Sequence, residues 1–299
     1  MVKSKDNSRK SKDTPPAPLS KGSVGLRVER SVLRVERWLV ALCLCVLTGC
    51  EVIGENERLI AVQLPVDSAG RNHVLIEFTG FRCVNCPKAA TVADKLRHTY
   101  GERLITVAMH PASNPFTRGA DKYDYTCPAA DTYYLYMGGN ATTPFPTGNI
   151  DMLAYDHDYL VDYSMWATLL AERMGEPASV QLAASALLKP ASRQLTVRTR
   201  CFAIDKQDLQ MAVWLVEDSI IGAQALPDGT VDTQYCHNHV LRAALSAEWG
   251  EPVTAQPQPE ELIFDTALPE GCDAKHCSVV VVAMDQNKSI INAKQIKIE

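Results

Sequence analysis

No stretch of this 299-residue chain is apolar for long enough to be an ordinary membrane span: the longest such run, Trp38 to Thr48, has eleven residues. A spanning helix needs roughly 20. There is also no Gly-rich phosphate loop, no Ser-centred nucleophile elbow and no His-Glu-x-x-His, so no motif points to nucleotide, hydrolase or zinc-protease chemistry. Positive charge is scarce after the first fifty residues. From Cys50 onward there are 20 basic and 31 acidic residues, a charge of about −11. No positive stripe is evident to neutralise phosphates, which argues against nucleic acid as a partner. Asp156 and Asp158 are alternate residues of a polar stretch and read as a solvated helix start rather than acid–base machinery.

The leading segment has a different character. Met1 to Arg37 carries ten Lys or Arg and four Asp or Glu, a net +6. A basic segment, a short apolar core and small residues make a secretory signal. Leu47-Thr48-Gly49-Cys50 resembles a bacterial lipobox, which implies cleavage before Cys50 and a lipid on that residue. The bland alternative is a short buried helix or a chance match. Met1 to Lys21 is polar and Pro/Ser/Lys-rich, with no reason to fold. LRVER occurs twice, at Leu26 and Leu33, and a start near Val32 or Leu33 would leave a more compact signal. Seven cysteines follow Cys50: 83, 86, 127, 201, 236, 272 and 277. That many suits an exported protein, and an odd number leaves one thiol free or shared.

The rest of the chain is organised around Val74 to Leu96. Val74 to Phe78 reads as a buried strand, Thr79 to Arg82 as a turn, and Ala89 to Tyr100 as an amphipathic helix. Cys83-Val84-Asn85-Cys86 lies at the strand-to-helix junction, where free backbone N–H groups favour a thiolate. Leu104 to Met109 is the next strand, so strand, helix and strand suggest a parallel crossover. Ahead of this unit, Arg58 to Pro65 is a candidate strand. Beyond it, helices are expected over Pro128 to Met137 and Asp156 to Met174, and Gly175-Glu176-Pro177 breaks the chain. The remainder offers strands at Val180 to Leu188, Leu195 to Ile204, Leu209 to Val216, Leu262 to Ala267, Ser278 to Met284 and Ile290 to Ile298. Leu241 to Trp249 reads as a short helix or loop. Strands without long helices between them suggest an antiparallel sandwich.

Val74 to Lys88 resembles the active-site segment of the thioredoxin superfamily. Four segments resemble the Omp28-related lipoproteins of Bacteroidetes: FTGFRCVNCPKAA (Phe78 to Ala90), FPTGNID (Phe145 to Asp151), HNHVLRAALSAEWGE (His237 to Glu251) and VVVAMDQNKSIINAKQIKI (Val280 to Ile298). The resemblance implies an α/β thioredoxin-like domain followed by an all-β, immunoglobulin-like sandwich. The expected division is 1–49 signal peptide with polar extension, 50–57 lipidated tether, 58–176 thioredoxin-like domain and 177–299 sandwich. It implies an outer-membrane location by lipid anchor, facing the periplasm or the surface, and says little about biochemical role.

Residue by residue, Cys83 matches the nucleophilic thiol and Cys86 the resolving thiol. Glu77 matches the buried acid that relays a proton to the resolving thiol, and an apolar strand raises a carboxyl pKa. Pro146 matches the proline, normally cis, that faces the disulfide, with Pro144 as competitor. The chain departs from thioredoxin in Val84-Asn85, which tunes the potential, and in Pro87, which fits only a first helical turn. Asn85 would cap that helix. Partners expected are the membrane, through the lipid anchor, and protein or peptide substrates with disulfides; the alternative is a binding or structural module that the Cys-x-x-Cys only staples, with the Thr142 to Asn149 loop and the sandwich as its binding surface. The oligomeric state is not legible.

Among the other cysteines, Cys272 with Cys277 and Cys201 with Cys236 are candidate pairs. Cys127, at an expected helix start, would then be an extra thiol, redox-active if it lies near Cys83 and otherwise simply buried. The Cys236, His237, His239, His276 and Cys277 set matches no compact zinc spacing, so neither metal nor cofactor is expected. His110 reads as a loop histidine.

Overall fold

The computed structural model describes residues 70–119 and 124–299, which lie within one unit, Leu59–Glu299. The candidate signal, Cys50, the tether and the Arg58 to Pro65 strand fall outside the described residues.

The apolar run at the centre of the sequence forms β1 (His73–Phe78), with every residue buried. The chain then turns into α1 (Cys86–Tyr100), which buries Cys86, Ala89, Ala93 and Leu96, and returns as β2 (Leu104–Met109). β1 and β2 pair in parallel, Glu77 opposite Ala108. Next come α2 (Pro128–Tyr136) and β3 (Thr147–Ile150), which lies antiparallel to β1. α3 (Trp166–Arg173) closes this half.

The expected Asp156 to Met174 helix is thus much shorter. Asp156 and His157 take positive φ, Tyr155 and Asp158 bridge each other, and Asp162 caps a single 3₁₀ turn at Tyr163–Met165. Local side-chain and turn bonding has displaced helix there.

The second half is all β: β4 (Gln181–Lys189), β5 (Gln194–Phe202), β6 (Gln207–Glu217), β7 (Ile220–Ala225), β8 (Val231–His237), β9 (Val240–Ala244), β10 (Glu251–Ala255), β11 (Leu262–Ala267), β12 (Cys277–Met284) and β13 (Ile290–Lys297). β9 corrects the expectation of helix or loop from Leu241. It pairs antiparallel with β6 and meets β2 through Ala108 and Val240. The main sheet therefore runs β13-β12-β6-β9-β2-β1-β3, with β10 also on β6. Strands from both sides of Pro177 share it.

Alternation in β6 and β12 explains the two layers that pack on this sheet. Met211, Val213, Leu215, Val279 and Val281 face the β11-β5-β4 sheet and form a sandwich core with Leu195 and Val197. Ala212, Trp214, Val216, Val280 and Val282 share the opposite core with α2 and β1. The Trp214 indole donates to the Tyr133 hydroxyl at 2.9 Å, which satisfies its one polar atom inside that core. Among the described residues no helix is long and apolar enough to cross a membrane.

Candidate functional site

Cys83 and Cys86 are joined by a disulfide with Cα atoms 5.4 Å apart. The loop that delivers them is fixed by backbone bonds. Thr79 N–H donates to Met109 O at 3.1 Å, Arg82 N–H to Phe116 O at 3.1 Å and Cys83 N–H to Gly80 O at 2.9 Å. Gly80 is required because a Cβ there would lie 2.5 Å from the Phe116 carbonyl oxygen. α1 begins at Cys86 with Pro87 in its first turn, where a missing N–H costs no helical bond. Asn85 occupies the cap position, but its side chain makes no capping bond and instead accepts from Lys88 Nζ at 3.2 Å.

Both sulfur-bearing residues are only 2 % exposed, while Val84 between them is 42 % exposed. The β7–β8 hairpin covers the loop. Gln224 Nε2 donates to the Cys83 carbonyl at 2.9 Å, and Ala225 N–H donates to the Phe81 carbonyl at 2.7 Å. Of the described peptide bonds only Phe145–Pro146 is cis. That proline, not Pro144, precedes β3, and Phe145 belongs to the same buried core as Cys83, Cys86 and Cys127.

Glu77 points to the α1 side of β1. It is 4 % exposed, and Oε1 has no hydrogen-bond partner. Burial, and then the charge of Asp94, push its pKa from 4.5 up to about 8. Glu77 and Cys86 line one cavity of about 60 Å³, together with Thr106, His110, Gln224 and His237. This is the environment that keeps a carboxyl protonated near neutrality, and it lies beside Cys86. His110 lies in the loop just past the end of β2, as expected, but it is buried, and desolvation, then His237 and Arg242, lower its pKa to about 3. The pattern Thr106-x-Ala108-x-His110 put all three on one face, a signal present in the sequence. Nothing in the sequence marked Gln224.

Among the described residues, the remaining cysteines, 127, 201, 236, 272 and 277, are thiols. Cys201 lies in the sandwich core and Cys236 is exposed on β8, so the two stand apart and unbonded. Cys272 and Cys277 are close: they share a hydrogen bond that draws Cys272 down to about 7 and pushes Cys277 up. Glu217 joins them within 4.8 Å, a different cluster from the histidine-containing set considered above. Arg242 Nε sits 3.3 Å from Glu217 and supplies the positive charge there. Cys127 caps α2, yet burial raises its thiol pKa despite bonds from the Ala129 and Ala130 amides. The activation expected of a helix start is outweighed by desolvation.

A family model described as outer membrane protein Omp28 matches residues 130–299. Among solved structures, HBP35 of Porphyromonas gingivalis is similar over 78 % of this chain and 76 % of its own, with 18 % identity and a TM-score of 0.61. That likeness speaks for the fold alone. A protein from Agrobacterium tumefaciens aligns over 76 % of this chain and 95 % of its own, with 14 % identity and a TM-score of 0.46. No curated protein matches the chain.

Proposed function

We propose a function from the premise that the chain belongs to the Omp28 outer membrane protein family: it is a cell-envelope protein whose Cys83–Cys86 disulfide exchanges with thiols or disulfides of exported proteins. One observation carries this reading. A buried Glu77 with a raised pKa shares a cavity with Cys86, an arrangement that costs stability and that a mere staple does not need. In the reduced protein the Cys83 thiolate would attack a substrate disulfide, form a mixed disulfide and release one substrate thiolate. Cys86 would then give its proton to the ionised fraction of Glu77, which a pKa of about 8 keeps populated near neutrality, and attack Cys83 Sγ. That closes the Cys83–Cys86 bond, releases the second substrate thiolate and leaves two electrons on the substrate. The reverse sequence oxidises a dithiol. Phe145, beside the cis proline, would offer backbone to an extended substrate. In this reading Cys50 carries the lipid, residues 50–57 form the tether, 58–176 carry the chemistry and 177–299 cover it.

Equilibration with glutathione buffers, followed by alkylation and mass spectrometry, tests the reading. A Cys83–Cys86 potential between roughly −270 and −120 mV is expected, as for known oxidoreductases. Cys86→Ser should trap a mixed disulfide at Cys83. A pair that stays oxidised in the native protein below roughly −300 mV would instead be a structural bridge.

That structural alternative is favoured by the near-complete burial of Cys83 under Gln224. The two readings differ in what the hairpin does. If exchange is gated by the hairpin, Gln224→Ala should speed reduction of the disulfide by dithiothreitol severalfold without lowering the unfolding midpoint in proportion. A rate that tracks global stability alone would support the staple.

A further inference from the structure

We propose that the cavity beneath the disulfide is a built water site and that His110, with Thr106, is a positioning residue for the Glu77 proton; the inference rests on the exchange reading above. Glu77 pairs with Ala108 across the parallel β1–β2 ladder, and Thr106 and His110 flank Ala108 on the same face. Glu77 Oε1, Thr106 Oγ1 and His110 Nδ1 do not bond one another, and a water among them would bridge them.

Three polar atoms on this face are buried without a hydrogen-bond partner: Glu77 Oε1, Thr106 Oγ1 and His110 Nδ1. All three residues line the one cavity of about 60 Å³. A water needs about 10–15 Å³ of such space and two to four polar partners. The volume allows more than one water, and the three atoms supply the partners of one. An apolar residue at either 106 or 110 would complete the α1-side core at lower desolvation cost.

The second half of the chain supplies the outer wall. Tyr235, His237 and His239 close the cavity from β8 and the turn before β9, and Asp94 faces it from α1. Arg242 acts on His110 from β9. The His110 imidazole, held neutral by burial and by these neighbours, orients water without taking the proton itself. When Cys86 gives its proton to Glu77, the water holds the carboxyl, and when Glu77 must be emptied again, the proton passes through the water to solvent. The β7–β8–β9 segment therefore completes the proton path as well as covering the sulfur.

The test is a carboxyl-carbon NMR titration of Glu77 in the oxidised full-length protein, which needs no exchange activity. Wild type is expected to titrate near 8, and Glu77→Gln identifies the signal by removing it. His110→Phe keeps a ring but no nitrogen, and Thr106→Val keeps the shape but no hydroxyl. Each should move the Glu77 midpoint up by about one unit, because the carboxylate loses the water that solvates it. The corresponding thiol-exchange rate at neutral pH should fall about tenfold or more, the lower edge of a proton-transfer contribution. Unchanged midpoints in both folded variants would overturn the proposal. A wild type inert to glutathione whose Glu77 midpoint still responds to both substitutions would uphold the water site and sink the exchange reading alone.

Discussion

Glu77→Gln should remove the Glu77 contribution, which lowers stability as pH rises from 4.5 to 8. The folded chain holds the Glu77 proton up to a pKa of about 8, whereas the unfolded chain releases it near 4.5. Through that window the native state binds more protons, so stability falls as pH rises. It is complete below 4.5 and has been lost once the pH passes the folded value. The difference amounts to roughly 5 kcal/mol at about 1.4 kcal/mol per unit. Against the 5–15 kcal/mol or so that holds a typical domain together, this is a large pH-linked effect. Urea unfolding at pH 5, 7 and 9 measures it. The gap between the two proteins should widen steadily in favour of the Glu77→Gln variant as pH rises. Parallel curves would mean that Glu77 is ionised in the fold, and the proton relay would go with it.

His110 bends the same curve the other way. Its pKa falls from 6.5 to about 3 on folding, so its contribution is present above 6.5 and is lost as pH drops toward 3. Between 4.5 and 6.5 the two slopes oppose each other, and the wild type should show a plateau there. The cavity thus holds two groups that each cost stability in one of their charge states. Such costs are retained where they serve chemistry more often than where they serve packing.

The elements that carry this chemistry were legible because local signals agreed. Val74 to Phe78 is a continuous apolar run, Cys83 and Cys86 sit at its end, and Ala89, Ala93 and Leu96 keep helical spacing. Glu77 was conspicuous as the one acid in that run. What covers the site was not legible. Four of the seven residues of β8 are charged or polar, and most of the strand is exposed, so no apolar alternation announces it. It is a strand because it pairs with β7 and because β7 bonds to the Cys83 loop. β9 is similar: Val240 and Leu241 are buried, but Arg242, Ala243 and Ala244 are half-exposed and favour helix intrinsically. Pairing with β6 and β2 overrides that preference. His110 fell between the two cases. The alternation that places it beside Glu77 was readable, whereas its burial depends on β8 and β9, which were not.

Asp151→Ala is expected to cost at least 3–5 kcal/mol, the range for breaking a buried ion pair from one side. Asp151 is fully buried, and its Oδ2 lies 2.7 Å from His73 Nδ1, 3.0 Å from Arg71 and 3.2 Å from Arg173. Its Oδ1 accepts from Val74 N–H at 2.8 Å, and its own carbonyl accepts from Ile290 N–H at 2.8 Å. One residue therefore joins the start of β1, the end of β3, α3 and the start of β13. Alanine would leave two guanidinium groups close together with only Glu176 to balance them. Asp151 also has a φ of 59°, a left-handed conformation that costs alanine roughly 1–2 kcal/mol more than a glycine, while Asp and Asn tolerate it better. Asp151→Asn keeps the backbone acceptor and that tolerance and loses only the charge, so its loss should be the smaller of the two. Burial shields the pair from ions, so added salt should not close the gap. Urea midpoints read the losses directly, and a loss below about 1 kcal/mol for alanine, the scale of an exposed pair, would contradict the network. The carboxylate binds at the opposite end of β1 from Glu77, where the strand starts rather than where the disulfide hangs. A folded Asp151→Asn protein should therefore keep the Glu77 titration of the wild type, which separates the residues that hold the sheet together from those proposed to move the proton.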